Sequence, residues 1–408
     1  MNEYLTSALP GIGGALGEDP ADFFVEEIPL YQPCGSGEHL YLTVEKRGLT
    51  TYELLNRVAR RLGIRERDLG YAGLKDARAV TRQTISIPGV RPEEVSRFDI
   101  PGVRVLAVAL HTNKLRPGHL SGNRFVIRLS GTGENAVARA AAILDVLEDL
   151  GVPNRFGRQR YGLLGNSHRI GNALLRKDYR AAITEIVGDP EQIEHPGWRE
   201  AAQAFREGRT TAAIPLLPRH CRNEQLLLEC LARGESPEKC VLDMPRKLLR
   251  LYLSACQSAL FDRIVLMRLE SLERIWPGDL AYKHINGACF LVEDPGVEQA
   301  RADLFEISSS GPLFGFKTRL ARGQAGLLEQ ALLDKEKLTL NDFRIGRGLS
   351  MEGARRPLRV PLLAPKVVAA GDGIQVAFQL PKGSYATAVL HELMKTEIDH
   401  SKLAEGLQ

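Results

Sequence analysis

The spacing of apolar residues changes period twice along the chain. Leu40, Leu42 and Val44 alternate with polar or amphipathic neighbours, as do Phe125, Ile127 and Leu129, which is the period of a half-buried strand. Residues 22–27 read as a short extended segment and 84–87 as a strand. Val103, Val105 and Leu110 mark a further apolar stretch. Between these, Thr50 is placed to cap a helix, with Glu53 completing a capping box. Leu54, Leu55, Val58 and Leu62 form its apolar face, and Gly63 is its stop. Residues 135–150 predict a second helix with Ile143, Leu144, Leu147 and Leu150 inward, closed by Gly151 and Pro153.

From about residue 165 to 275 helical periodicity takes over, and 328–340 read as helical too. Strand alternation returns at Ile374, Val376, Phe378 and Leu380, followed by a turn at Gly383 and a helix over 386–395. The polar residues 400–408 are expected to fray. A mixed, then helical, then mixed pattern implies one domain inserted into another. The expected divisions are 1–162, 163–345 and 346–408, with no internal repeat and no low-complexity segment.

A chain of 408 residues fits two domains. No apolar run reaches the length of a membrane helix. The start, Met-Asn-Glu-Tyr-Leu-Thr, lacks the basic and apolar regions of a signal peptide, so a cytoplasmic location is expected. Six scattered cysteines without CxxC spacing are then expected to be reduced, and the His220-Cys221 pair has no second close-spaced pair to complete a zinc site. The stretch Gly11-Ile12-Gly13-Gly14 lacks the strand, frame and helix of a dinucleotide loop.

Net charge is only +4, yet positive residues are grouped. Lys114, Arg116 and Arg124 bracket one turn, Arg155, Arg158 and Arg160 another, and Arg355, Arg356 and Arg359 a third. Each cluster reads either as a solvated face or as part of a phosphate-contacting surface. The loop with His111, Arg116 and His119 carries the same two readings.

The most informative segment is residues 70–83, Gly-Tyr-Ala-Gly-Leu-Lys-Asp-Ala-Arg-Ala-Val-Thr-Arg-Gln. Its single acid, Asp76, stands in a Gly-flanked turn among Lys75, Arg78 and Arg82. Nearby cations favour an ionised carboxylate, so Lys75 and Arg78 serve either to keep Asp76 charged or to contact phosphates. Aromatics are few at 6%, which singles out those beside turns: Phe23, Phe156 and Tyr385. An extruded base takes an aromatic face and one amide at its edge, which Asn154 can supply. Taken singly, each aromatic also reads as core and Asn154 as a turn former.

Four blocks, in order, resemble the TruD family of tRNA pseudouridine synthases. They are residues 20–27 continuing through 35–39, then 70–83, then 122–125 followed by 152–162, and finally 380–395. Weaker likeness lies at 254–261 and 311–315. The resemblance implies an α+β catalytic domain of the pseudouridine-synthase fold, with a largely antiparallel mixed sheet, interrupted by a helix-rich α/β insertion, the TRUD domain. It implies Asp76 as nucleophile, with Phe23, Asn154 and Tyr385 at base-contacting positions and Lys75 and Arg78 also contacting substrate. The implied substrate is the uridine at position 13 in the D-arm of tRNA. No cofactor, metal or obligate protein partner is implied. Tyr385 stands where bacterial relatives often have Phe, and residues 180–245 are helical material beyond the most compact members. A catalytically inactive tRNA-binding or chaperone paralogue is the alternative, opposed by the intact block around Asp76. A tRNA methyltransferase or reductase lacks its glycine-rich loop here.

Overall fold

The computed structural model describes residues 3–17, 19–75, 77–97 and 99–396; Asp76 and the tail 400–408 fall outside them. The chain forms two compact units. One comprises the residues up to Val152 together with those from Val360, and the other runs from Pro153 to Arg359. The sequence expectation put these joins after 162 and 345.

The first unit is built on a nine-stranded sheet. Its path runs Leu363–Ala370, Gly373–Pro381, Leu120–Thr132, Phe23–Pro29, Val80–Pro88, His39–Lys46, Val103–His111. Gly13–Leu16 pairs alongside Leu120–Thr132, and Gly70–Tyr71 alongside Val80–Pro88. Among the described residues every pairing of this sheet is antiparallel save one: Phe24, Val25 and Glu26 run parallel to Val80, Thr81 and Arg82. The sheet is therefore the largely antiparallel mixed sheet expected.

The predicted alternations bury as read. Leu40, Leu42, Ile85 and Ile87 face the helix Thr51–Leu62 and pack on its Leu54, Leu55 and Val58. Thr50 and Glu53 form the capping box, and Gly63 ends that helix at φ +68°. Further along the sheet, Ile127, Leu129, Ile374, Val376 and Phe378 pack under Ile143, Leu144 and Leu147 of the helix Ala136–Leu150 and Val389 and Leu390 of the helix Ala386–Met394.

The second unit is helical over the expected stretch, with seven α-helices among the described residues from Ser167–Leu175 to the long Arg246–Met267. It also holds a four-stranded sheet in the order Cys289–Leu291, Leu280–Lys283, Ile307–Leu313, Ala354–Pro357. These strands escape sequence reading because they are short and because Ser308, Ser309 and Ser310 are buried in place of an apolar row. The helix expected over 328–340 runs Gly323–Glu336, since Lys337 turns to the left-handed region at φ +55° and ends it. The expectation of reduced cysteines is corrected at one pair: Cys230 and Cys240, on the neighbouring helices Arg222–Ala232 and Pro237–Leu242, form a disulfide. Among the described residues no helix is long and apolar enough to cross a membrane.

The end of the long helix is tied to this sheet by a buried ion pair. Arg268 donates to both oxygens of Asp279 at 2.9 and 3.2 Å and lies over the Trp276 ring at 3.5 Å. Asp279 also accepts from the Trp276 N–H and the Ser309 hydroxyl. Both charged side chains are at most 2% exposed. Removing one partner strands the other charge away from water, so Asp279→Ala is expected to cost about 3–5 kcal/mol, measured as the shift in the urea unfolding curve.

Candidate functional site

The parallel pairing of the sheet stops at Glu26 and Arg82. Beyond it, Lys75 fills the space. Its side chain is 6% exposed, with Nζ 3.3 Å from Glu27 Oε2 and donating to Asn123 Oδ1 at 2.7 Å. The Lys75 backbone is clamped as well. Its N–H donates to the Thr51 hydroxyl at 2.8 Å, and its carbonyl accepts the Thr51 N–H and the Lys46 ammonium. Thr51 opens the capped helix and Lys46 ends a strand, so two elements of the unit fix the residue that precedes position 76.

Burial raises the Glu27 carboxyl above its ordinary range, against the pull of Lys75 and the Thr84 N–H. Lys75, expected either to keep Asp76 charged or to contact phosphates, has its charge matched inside the protein by Glu27. Arg82 likewise has its charge matched within the sheet. It bonds Glu45 at 2.9 Å and approaches Glu26 at 3.5 Å, in a row across five strands that Arg124 and Arg104 extend. Arg78 is half-buried. Asp76 lies outside the described residues, so its nucleophilic role stays an expectation of the sequence.

Phe23 begins the strand beside this segment, half-buried, with its ring edge-on to Phe125 at 6.4 Å. Tyr385 stands at the N-cap of the helix Ala386–Met394 and is 38% exposed. It follows the turn after Leu380, which pairs with Asn123, and Asn123 pairs on its other side with Glu27. Gly122 is required there, because a Cβ would meet the Leu380 carbonyl at 2.3 Å. Phe23, Lys75, Arg78 and Tyr385 thus all belong to the first unit, on strands or turns of one sheet.

Asn154 belongs to the other unit and is buried. Its Nδ2 donates to the Pro357 carbonyl at 2.9 Å, and its Oδ1 accepts from Arg356. Asn123 was not singled out in the sequence as a site residue. The signal for it was present, since Gly122-Asn123 falls inside a family block, but only folding shows that Lys75 holds its carboxamide.

The basic clusters resolve differently from one another. Arg116 is exposed, whereas Lys114 donates to the Arg67 carbonyl. Arg355 is paired with Glu329 at 2.8 Å, Arg359 is 1% exposed, and Arg356 stacks on Phe156, so the third cluster is internal. His119 Nδ1 meets the Tyr31 hydroxyl at 2.9 Å, and His111 stacks on the Tyr31 ring. Both histidines therefore serve an aromatic cluster. The side chain of Arg158 lies outside the description.

A mixed sheet of this order, interrupted by a second unit and carrying the 70–83 segment at its one parallel pairing, is the frame of a pseudouridine synthase. The family model for tRNA pseudouridine synthase D matches residues 1–393. The chain is 56% identical over 398 residues to the tRNA pseudouridine synthase D of Syntrophotalea carbinolica, covering 98% of this chain and all of that one. It is 41% identical to the Thermus thermophilus protein of that name, over 99% of this chain and 97% of the relative. A crystal structure of the putative tRNA pseudouridine synthase D from Methanosarcina mazei superposes with a TM-score of 0.84 at 26% identity, covering 97% of each chain. The chain belongs to the TruD family.

Lys75 and Glu27 are coupled by burial, and this is measurable. Lys75→Met leaves Glu27 buried and unmatched, and is expected to lower stability at neutral pH by about 3–5 kcal/mol. Adding Glu27→Gln should recover part of that loss, because the amide needs no counter-charge. A double-mutant cycle by urea unfolding that shows purely additive losses would contradict the coupling.

Proposed function

We propose that this protein is an isomerase that converts a uridine of tRNA to pseudouridine, at position 13 in the D-arm, with Asp76 as the nucleophile. The reaction breaks the bond between N1 of uracil and C1′ of the ribose and forms a bond from C5 to C1′. C5 loses a proton and N1 gains one, so atoms and electrons balance within the substrate. The chemistry takes a carboxylate near the sugar or the base, a pocket for an extruded base, and an acceptor for the C5 proton.

The observation that carries the reading is the clamp on Lys75. Its backbone is held by Thr51 and its ammonium by Glu27 and Asn123, next to the one acid of the family segment. Holding a neighbour on rigid elements limits the positions a reacting group can take, which is how positioning contributes to rate. Phe23 and Tyr385 are the proposed aromatic faces for the base. Arg78 is the proposed phosphate contact of the segment. For the amide at the base edge, Asn123 is a second candidate alongside the sequence expectation of Asn154, each in its own unit. Lys75 occupies one lone pair of the Asn123 oxygen and so turns its NH2 group away, as the donor side of the carboxamide. The unit Pro153–Arg359 is read as the inserted domain of the family, and the protein as cytoplasmic.

Asp76→Asn keeps the size of the side chain and removes the nucleophile. It is expected to abolish pseudouridine formation while tRNA binding stays within a few fold, assayed on unmodified tRNA transcript with no additive. Turnover near the unsubstituted rate overturns the assignment, and the inactive-paralogue reading gains only if the unsubstituted protein binds tRNA without modifying it.

Binding is also expected to fall steeply with salt. Released counterions give a log–log slope of roughly −0.7 to −0.9 per phosphate contacted. Arg116, exposed in the 114–124 loop, is the residue whose replacement by alanine should flatten that slope by about one contact. An affinity that hardly changes between low and moderate salt rejects this loop as an RNA surface.

A further inference from the structure

The face of the sheet that packs on the helix Thr51–Leu62 also carries buried polar side chains. On the strand Val80–Pro88, Thr81 and Gln83 point to the same side as Ile85 and Ile87, which lie against that helix. Thr81 is fully buried and Gln83 is 1% exposed. In the antiparallel pairing Thr81 stands opposite Lys46, and Gln83 opposite Val44. Lys46 is likewise 1% exposed, and its ammonium donates to the carbonyls of Leu49 and Lys75.

Gln83 reaches the segment that leads to position 76 through one hydroxyl. The Lys75 N–H donates to Thr51 Oγ1 at 2.8 Å, and that hydroxyl donates to Gln83 Oε1 at 3.0 Å. The carboxamide therefore lies two hydrogen bonds from the Lys75 backbone. Its oxygen is engaged by Thr51, so its NH2 group, with two donors, faces away from that hydroxyl. Among the described residues Gln83 Nε2 has no acceptor, and the Thr81 hydroxyl has no partner. Buried donors without acceptors oppose folding, so two on one face mark the place of a group that accepts from them.

The nearby acids narrow what that group is. Glu27 is held by Lys75, and Glu53, at the start of the helix, accepts from the Thr50 N–H and hydroxyl. Asp76 is the one acid of the 70–83 segment. A peptide plane includes the Cα of the residue that follows. The Lys75 carbonyl, held by Lys46 and the Thr51 N–H, thus limits where residue 76 starts. The sequence set Asp76 among cations, yet Lys75 is matched by Glu27, and Arg82 by Glu26 and Glu45. Neutral donors to a carboxylate also favour its ionised form, and they do so without a counter-charge that would blunt a nucleophile.

We propose that Gln83 is a positioning residue for the reaction: its NH2 group donates to the carboxylate of Asp76 and aims it at the uridine, with the Thr81 hydroxyl as a second donor. The proposal rests on the reading of Asp76 as the nucleophile. The ionisable groups around the cluster are Lys46 from the strand His39–Lys46, Lys75 and Arg78 from the segment, Glu27 from the strand Phe23–Pro29, and Glu53 from the helix.

The test uses the full-length protein. A crystal structure should place Gln83 Nε2 within about 3.2 Å of an Asp76 carboxylate oxygen. An ordered water in that place, or Nε2 bonded elsewhere, overturns the proposal whatever the activity. Gln83→Glu keeps the length of the side chain and the acceptor for Thr51, but loses the donor and sets a second carboxylate beside the first. Its kcat on unmodified tRNA transcript should fall about tenfold to a hundredfold, with KM within about twofold. The acid limb of its kcat profile should move to higher pH, because two adjacent carboxylates resist ionising together. Gln83→Met removes the donor without adding charge, and so serves if the buried glutamate prevents folding. Its acid limb should move the same way by a smaller amount, since the ionised Asp76 loses a donor. A side chain that only braced Thr51 would leave the limb in place. An unmoved limb in the folded variant, or kcat near the unsubstituted value, overturns the proposal. If the crystal structure shows the bond and the unsubstituted protein leaves tRNA unmodified, the tRNA reading falls instead.

Discussion

The ammonium of Lys75 is the constraint on which the first unit's site depends. A lysine placed 6% exposed inside a sheet must be matched by charge and by hydrogen-bond acceptors, or the fold carries an uncompensated ion. Glu27 supplies the charge and Asn123 the acceptor. Those two come from strands that pair with each other, and Lys75 comes from the segment that separates two further strands. The match can form only when the one parallel pairing of the sheet is in register, so the charge and the topology specify each other.

The same economy of charge runs across the exposed face of the sheet. Glu26 and Glu45 each sit between two arginines, so in the row Arg124, Glu26, Arg82, Glu45, Arg104 every guanidinium has a carboxylate partner. Such partly exposed pairs are individually weak. Their consequence is electrostatic bookkeeping of position: the cations left to attract phosphate are those in turns, such as Arg116, and not those in strands. In the second unit the cationic cluster at 355–359 is likewise absorbed by Glu329, Phe156 and the Ala302 carbonyl. A net charge of +4 thus says little about where an RNA backbone would lie.

Much of the architecture was legible from the chain itself. The helix at Thr51–Leu62 was readable because its cap, apolar face and glycine stop are all local signals. The strands at 39–46, 120–132 and 373–381 were readable because one face of each is buried and the other is polar. The four short strands of the second unit were not, since buried serines satisfied by Asp279 and a backbone carbonyl break the hydrophobic alternation. Nor was the Cys230–Cys240 disulfide legible, because a spacing of ten residues says nothing about which helix faces meet.

What the sequence determined by itself is the family and the identity of the single acid in its signature segment, because both are carried by residue types in fixed local order. Tertiary structure decided which charges remain available. Lys75, Arg82, Arg356 and Arg359 read alike as cations in the chain, and folding buries or pairs each of them. It also brought forward Asn123 and Gln83, whose importance lies in partners 48 and 32 residues away. The physical reason is that desolvation and pairing are properties of a surrounding volume. The chain specifies that volume only through contacts between segments far apart in sequence.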